Sequence, residues 1–530
     1  MELKLSTQKS LWDKIGVSIA NYNIEDVIEK TKICPEWIHF GAGNIFRGYI
    51  AKIADTLLES GLMETGIIAA EAFDFDVIDQ IYVPYDNLTL LVKLNPNGDL
   101  KKEIISSVAK SVKANPKYAD FTILQEAFKK MTLKMVSFTI TEKGYALTDA
   151  TGAYFNIIKD DIINGPSKCN HVISIICSLL LERFNTCKAP LSLVSMDNCA
   201  VNGDKLKKAV INIAKEWQKN NFVTEDFINY LEDETKIAFP ISMIDKITPR
   251  PAPEVENELK KIGIENMYAI TTSKNTFIAP FVNAEIAEYL VIEDKFPNGR
   301  PALEKAGVYI TNKETVTKVE TMKVTTCLNP LHTALAVYGT VLGYNRIYKE
   351  MENPLLKTLT EKIGEEGMKV VVDPKIISPT QFLAEVFERL KNPFIPDDPA
   401  RIATDTSQKV GVRFGETIKS YIKDENLNVS ELTFIPLAIA GWLRYLIGVN
   451  DNGEKIDLSP DPMLADLTEQ LKTIKLGSDY NDEAQSILSN EKIFGVNLVK
   501  CRLAPKIENM FKEMITKIGA VKETLEKYCS

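Results

Sequence analysis

Residues 36–71 read EWIHFGAGNIFRGYIAKIADTLLESGLMETGIIAAE, and this stretch decides the fold. EWIHF, 36–40, is a short apolar run that predicts a strand. It leads straight into Gly41-Ala42-Gly43-Asn44-Ile45-Phe46-Arg47-Gly48. Residues 45–60 predict a helix, because Ile50, Ile53, Ala54, Leu57 and Leu58 recur at helical spacing. GIIAA, 66–70, predicts the next strand. A strand, a glycine turn, a helix and a second strand open a doubly wound parallel sheet.

Within that unit the glycines have distinct tasks. Gly41 suits a tight turn, and Gly43 lets the backbone approach a pyrophosphate with no Cβ in the way. The amides around Ala42, Asn44, Ile45 and Phe46 then face the anion at a helix start. Arg47 adds a charge for phosphate or for substrate. The pattern departs from GxGxxG, since Phe46 stands where the third glycine belongs, and a plain turn is the alternative reading. Glu71 follows the second strand, 30 residues after Gly41. A carboxylate there accepts hydrogen bonds from the adenosine ribose and repels a 2′-phosphate, which points to NAD rather than NADP. Asp74 and Asp76 compete for that role.

Outward from this core, further strands are predicted at 86–95, 121–125, 133–140, 191–196 and 267–272. Helices are predicted at 151–164, 170–184, 204–219 and 253–263. KFPNGRPALEKAG, 295–307, is rich in turn formers and reads as a crossover. Beyond it, helical periodicity dominates 331–345, 352–366, 379–391, 416–424, 435–447, 461–473 and 503–528. The expected fold class is therefore α/β: a Rossmann-type N-terminal domain with extensions, residues 1–294, followed by a mainly helical substrate and catalytic domain, 295–530. The DDP and NDNGE stretches, 397–399 and 450–454, read as exposed turns.

Composition sets the outer bounds. A chain of 530 residues with 45% hydrophobic and 25% charged content suggests two or three globular domains. The net charge of −9 argues against a global nucleic-acid footprint. Eight cysteines without a CxxC pair suggest free thiols in a reducing compartment. The opening MELKLSTQKSLWDKIG has no apolar signal region. Leu432 to Val449 is strongly apolar but contains Pro436 and Arg444, so it reads as a buried helix rather than a membrane span. The cytoplasm is the expected compartment.

The polar chemistry concentrates in Glu320-Thr-Met-Lys323-Val-Thr-Thr-Cys-Leu-Asn329-Pro330-Leu-His332. Asn329 suits the cap of a helix with Pro330 at its first position. His332 falls in the first turn, where a neutral imidazole donating to an oxygen is favoured over a cation. The chain has three histidines. His39 lies inside the first predicted strand and reads as packed, while His171 precedes an apolar helix and reads as structural. No HExxH and no cluster of His, Cys, Asp or Glu shows metal-site spacing. Carbonyl chemistry without a metal needs another acid and another electrophile. A lysine supplies the proton when burial brings its pKa towards neutrality, and amide or imidazole donors hold the oxyanion.

This cluster, together with GAGNIFRG, resembles the long-chain polyol-specific (mannitol) dehydrogenase family, over roughly residues 36–475. TEKGY at 141–145, SMDNCAVNG at 195–203, SMIDKITP at 242–249 and EDKFPNGRP at 293–301 follow the family's order. So do NPFIPDDPARIATDTSQK at 392–409, GWLRYL at 441–446 and Asp461-Pro462. The resemblance implies a metal-independent site between two domains, with Lys323 as acid and base, Asn198 and Asn329 around the substrate oxygen, and His332 beside it. Glu320 would gate proton release. Asp245, Arg401 and Lys409 would line the substrate pocket.

In the family the asparagine follows the lysine by five residues; here Asn329 follows Lys323 by six, and the extra residue is expected in the loop before Pro330. NAD is the implied cofactor and a small keto-sugar or sugar acid the implied substrate. KVTTCLNPLHTALA is most similar to the uronate-reducing members, which implies interconversion of fructuronate and mannonate. Arg401, Lys409 and Arg413 are the cations available to a uronate carboxylate. Tagaturonate reduction and mannitol oxidation are the alternatives within the family. A non-catalytic dinucleotide sensor or scaffold is the alternative outside it. The oligomeric state stays open.

Overall fold

In the computed structural model, which describes residues 1–95, 98–149, 151–395 and 397–530, the opening stretch builds two strands of a six-stranded parallel sheet. Counting its strands along the chain, they are β1 Trp37–Phe40, β2 Ile67–Glu71, β3 Val108–Lys113, β4 Met135–Phe138, β5 Leu191–Ser195 and β6 Ile237–Ala238. Their spatial order is 3-2-1-4-5-6, with every pairing parallel. That order defines a Rossmann sheet, whose ligand crevice lies beyond the carboxyl ends of β1 and β4, where the strand order reverses.

Both faces of the sheet are covered, so its strands read as continuous apolar runs. Alternate residues of β1 face opposite ways: Ile38 and Phe40 pack with helices α2 Phe121–Lys129, α3 Val172–Thr186 and α4 Asn202–Lys219. Trp37 faces the other layer, with Phe46, Ile50, Ile53 and Leu57 of the helical run that ends in α1 Ala51–Glu59. Val17–Ile19, Leu100–Ile105, Thr89–Leu94 and Phe281–Ala284 form a separate four-stranded sheet. Ser242–Asp245, Tyr289–Glu293 and Tyr309–Thr311 form a third sheet, of three strands. These extensions belong to the compact unit Met1–Thr317; the second unit is Lys318–Ser530.

The second unit is helical. Helix α5, Lys313–Met322, leads into it, and α6 Asn329–Val341, α7 Pro354–Met368, α8 Phe434–Leu446 and α9 Ala504–Met514 carry much of its core. Close approach of α6 and α8 depends on Gly441, where an added Cβ would lie 2.5 Å from the Tyr338 ring; the Tyr338 hydroxyl donates to Leu437 O at 2.8 Å. The apolar stretch around Leu437 is thus a buried helix. Among the described residues no helix is long and apolar enough to cross a membrane.

Several expectations are corrected. Residues 121–125 begin helix α2, because Phe121, Leu124 and Phe128 fall on one helical face and are buried together. The predicted helix 503–528 is two, Ala504–Met514 and Ala520–Cys529, broken at Gly519 with φ +82°. The stretch 450–454 is only partly exposed: the Asp451 carboxylate is buried and accepts from Val521 N and Lys522 N. Asp397 is likewise buried, and of the DDP turn only Asp398 faces solvent as a helix cap.

Candidate active site

The glycine turn leaves β1 at the switch point of the sheet. Gly41 has φ +102°, and a Cβ there would overlap the carbonyl oxygen of Thr139, so only glycine fits. Gly43 has open space around its would-be Cβ, which is where a pyrophosphate needs room. Glu71, at the end of β2, is buried and fully engaged. Its carboxylate accepts from Ala42 N at 2.9 Å, Phe73 N at 2.9 Å and Asp74 N at 3.1 Å. Burial raises its pKa against these three amides. In this structure, then, Glu71 braces the turn.

The Asp74 carboxylate takes the Thr272 hydroxyl at 2.6 Å, and that of Asp76 takes Ser273 N at 2.8 Å. Arg47 is buried too, donating to Thr89 Oγ1 at 3.2 Å, Ala279 O at 2.8 Å and Asn44 Oδ1 at 3.4 Å. Burial brings its pKa down to about 10. It ties the turn to the neighbouring sheet. Ile45 and Phe46 pack into the apolar layer beneath.

The stretch SMDNCAVNG follows β5. Asp197 is buried and accepts from Ile140 N at 3.0 Å, from Thr141 N at 2.8 Å and from the Tyr145 hydroxyl, which joins the TEKGY turn to β5. Asn202 is saturated: it donates to Asp197 O and Ser242 O, and accepts from Gly203 N and Ser242 N. A Cβ on Gly203 would lie 2.6 Å from Phe239 O and Pro240 O. These three residues are architecture. Asn198, between Asp197 and Asn202, is exposed, as are Ala200 and Val201. Asp245 ends the strand Ser242–Asp245 and is buried.

In the second unit the polar cluster follows from one irregularity. Helix α5 passes into a π turn, Lys323–Cys327, closed by Leu328 N donating to Lys323 O at 3.1 Å. A π turn takes in one residue more than an α turn. The six-residue spacing from Lys323 to Asn329 therefore runs through the π turn, and only Leu328 interrupts the helical run. Lys323 opens this turn with 3% of its surface exposed. Glu320 lies one turn earlier on α5. Asn329 starts α6 without capping it, since no side-chain cap bond is made there. The expected capping role is not seen, because the cap position falls on Leu328.

His332 lies one turn along α6, with Nε2 2.8 Å from Asp397 Oδ2, off the line of a good hydrogen bond. Burial alone would raise the Asp397 carboxyl, but His332 and then Arg401 outweigh it and hold it at about 2. Arg401 pairs with the other Asp397 oxygen while its own side chain stays exposed. Arg413, in a second π turn at Gly411–Gly415, donates to Thr333 Oγ1, and the Thr333 hydroxyl donates to Asn329 O at 2.9 Å. Lys409 donates to Thr404 O; burial and then Arg413 push its pKa down. Ser407 N and Oγ bind Asp461 at 2.7 and 2.5 Å, which anchors the short helix bearing Lys409. Asp397 thus links His332 to Arg401, Thr333 links Arg413 to Asn329 O, and Lys409 lies within electrostatic reach of both arginines. Asp397 and Thr333 are the links to which motif reading assigned no role. Pro396, within the 392–409 motif, lies outside the described residues.

Glu350, on the helix Ile347–Glu352, is fully buried, and neither carboxyl oxygen has a partner among the described residues. Burial and the charges of Asp397 and Asp398 raise its pKa well above the carboxylate range. The fold favours its protonated form, while the unfolded chain ionises near the ordinary value. Its stability contribution is thus complete below that value and declines as pH rises towards the folded pKa. Glu350→Gln, which cannot ionise, should gain melting temperature over the parent progressively from pH 5 to pH 8. Thermal melts across that range check this; a constant offset would show that Glu350 ionises freely within the fold.

A Rossmann sheet with a glycine turn, joined to a helical unit carrying a buried lysine near an asparagine and a histidine, is the architecture of a two-domain dinucleotide-dependent dehydrogenase. The chain belongs to the mannitol dehydrogenase family: residues 35–305 match its Rossmann domain and residues 315–515 its C-terminal domain. It is 50% identical over 524 residues to D-mannonate oxidoreductase of Thermotoga maritima, spanning 98% of this chain and 97% of that protein. It is 28% identical over 471 residues to D-mannonate oxidoreductase of Escherichia coli, spanning 87% and 89%. Among solved structures, Pseudomonas fluorescens mannitol 2-dehydrogenase, in ternary complex with NAD and D-mannitol, aligns with a TM-score of 0.71 and 25% identity over 99% of both chains. Substrate-free D-sorbitol dehydrogenase shares the fold, with a TM-score of 0.81 over 96% and 97% of the two chains.

Proposed function

We propose that this chain interconverts D-fructuronate and D-mannonate. As a member of its family it is an NAD-dependent oxidoreductase with a Rossmann dinucleotide-binding domain. The glycine turn fits that cofactor, with space at Gly43 and a braced peptide at Ala42. The observation that carries the acidic substrate is Arg413: no carboxylate among the described residues pairs with it, and Lys409 and Arg401 lie within electrostatic reach of each other beside it. Three cations around the first turn of α6 suit a sugar acid better than a neutral polyol. The name of the 50% identical relative points the same way.

In this reading residues 1–294 hold the cofactor and 295–530 supply most of the substrate site. When bound, NADH supplies the hydride to the keto carbon. Lys323 gives the proton to the oxygen that becomes an alcohol, and takes it back in oxidation. Asn198 and Asn329 donate to that oxygen as charge develops. His332, oriented by Asp397, donates to a neighbouring hydroxyl. Glu320 passes the proton between Lys323 and water. Asp245, Arg401 and Lys409 position the remaining substrate oxygens. Glu71 holds the turn beside the adenosine half of NAD. Eight cysteine thiols outside disulfides fit a reducing cytoplasm.

Following NADH oxidation with fructuronate, tagaturonate and fructose in turn tests the assignment. Fructuronate should show the highest kcat/KM, about tenfold or more above fructose. A preference for fructose would replace the uronate assignment with a polyol one, and a preference for tagaturonate would move it to the epimeric uronate.

A further inference from the structure

The buried polar atoms beneath the glycine turn form a one-way chain. Trp37 Nε1 donates to Ser137 Oγ at 2.7 Å. Ser137 is also 2.6 Å from His39 Nδ1, and His39 Nε2 is 2.8 Å from Thr139 Oγ1. The Thr139 hydroxyl donates to Gly41 O at 3.1 Å. Strand register explains the meeting: His39 and Ser137 are direct partners across β1 and β4, and Trp37 and His39 point to the same face. The His39 ring also stacks on Phe46, with centroids 4.2 Å apart.

The direction of every proton in the chain can be assigned. A carbonyl only accepts, so the Thr139 hydrogen is spent on Gly41 O. Thr139 Oγ1 must then accept from His39, which places a hydrogen on Nε2. Burial lowers the His39 pKa to about 3, so the ring is neutral and Nδ1 accepts from the Ser137 hydroxyl. Ser137 in turn accepts from the indole, which only donates. His39 also hydrogen-bonds the Gly41 backbone itself, so ring and hydroxyl converge on the same peptide.

Its last bond falls on a particular peptide. Gly41 C=O and Ala42 N–H belong to one planar unit and point in opposite directions. Thr139 holds the oxygen at 3.1 Å and Glu71 holds the N–H at 2.9 Å. The Tyr82 hydroxyl holds the next carbonyl, Ala42 O, at 3.0 Å. With that plane clamped at both ends, the following amides at the start of the helical run keep a fixed direction towards an anion.

We infer that His39 is a positioning residue for the dinucleotide, acting through Thr139 to fix the Gly41–Ala42 peptide in the orientation that the pyrophosphate needs. The inference rests on the reading of the glycine turn as the NAD site. It predicts a loss of cofactor affinity without loss of chemistry, since neither His39 nor Thr139 touches the reacting atoms.

The test is NADH binding to the full-length protein, read by the change in nicotinamide fluorescence and paired with steady-state kinetics. Thr139→Val keeps the shape and removes the hydroxyl. His39→Phe keeps the stack on Phe46 and removes both nitrogens. Each should raise the NADH Kd and KM by about five- to twentyfold, as expected for one lost buried hydrogen bond. kcat at saturating NADH should stay within about twofold. His39→Gln, which retains a donor, should recover part of the affinity.

An unchanged Kd in a folded Thr139→Val protein would overturn the inference, as would an equal fall in kcat. Gly43→Val serves as the control for the underlying reading. If it abolishes NADH binding while Thr139→Val and His39→Phe do not weaken it, the clamp is wrong and the site is right. If Gly43→Val binds NADH normally, the site itself lies elsewhere and the inference falls with it.

Discussion

Lys323→Ala is expected to lose about 10³-fold in turnover while its NADH Kd stays within about twofold of the parent. The expectation rests on placement. Lys323 is 3% exposed, and it opens a π turn rather than an α turn, which shifts the register of the chain between it and Asn329. General acid–base catalysis contributes roughly 10²–10⁴-fold when the proton donor is held in place. Without the amine, the oxygen on the carbon that receives hydride keeps its charge and the products return to reactants. Two readouts separate this role from others. Small primary amines added to Lys323→Ala should restore part of the rate if the missing function is proton transfer. A parallel rise in the NADH Kd would instead place the lysine in cofactor binding. Near-normal turnover would remove it from the chemistry altogether.

The Rossmann half was legible where its periodicity was strict. β1, the glycine turn, α1 and β2 all lie within the stretch that predicted them, because both faces of β1 and β2 are buried and one face of α1 is. β3 escaped notice: VAKSVK, with its exposed Lys110, is polar enough at the sheet edge to read as a loop. Residues 121–125 went the other way, since a run of aromatic and β-branched residues hides a helical face made by Phe121, Leu124 and Phe128.

The site shows the same division. Lys323, Asn329 and His332 stand in one linear motif with their neighbours, which is what makes them candidates from sequence. Asp397 was not a candidate, because a DDP sequence signals a solvated turn unless one knows that His332 and Arg401 arrive on either side of the first carboxylate. His39 read as a packed strand residue, and so it is. Its second property, the chain of hydrogen bonds to Gly41 O, depends on a strand partner 98 positions away, which no local pattern encodes.

Helix irregularities add a further link between local sequence and chemistry. Four π turns occur among the described residues, at Phe46–Ile50, Ile78–Tyr82, Lys323–Cys327 and Gly411–Gly415. Three of them carry a charged residue of the candidate site: Arg47, Lys323 and Arg413. Each π turn leaves one backbone position outside the regular ladder and redirects a side chain, at a cost that a purely structural helix has no reason to bear. At Gly411–Gly415 the turn also needs glycine at both ends, since a Cβ on Gly411 would lie 2.7 Å from Ile493 O and one on Gly415 would overlap Phe494 O.

That second π turn sets up the other large effect. Arg413→Leu should raise KM for fructuronate by about 10²-fold and leave the weaker reaction with fructose within about threefold. The guanidinium is partly buried, its pKa is pulled down to about 10 by that burial, and its one side-chain partner is the neutral Thr333 hydroxyl. A cation held this way without a counter-ion costs stability unless a ligand supplies the charge. Truncating one side of a buried, hydrogen-bonded ion pair costs about 2–5 kcal/mol, which brackets the predicted change in KM. The free protein should lose little, since no ion pair is broken, and its melting temperature should hold or rise. Arg413→Lys should recover only part of the affinity, because an ammonium cannot grip a carboxylate with two parallel bonds. Equal losses with fructose and fructuronate would make Arg413 an anchor for the start of α6, through Thr333 and Asn329 O, rather than the partner of a carboxylate.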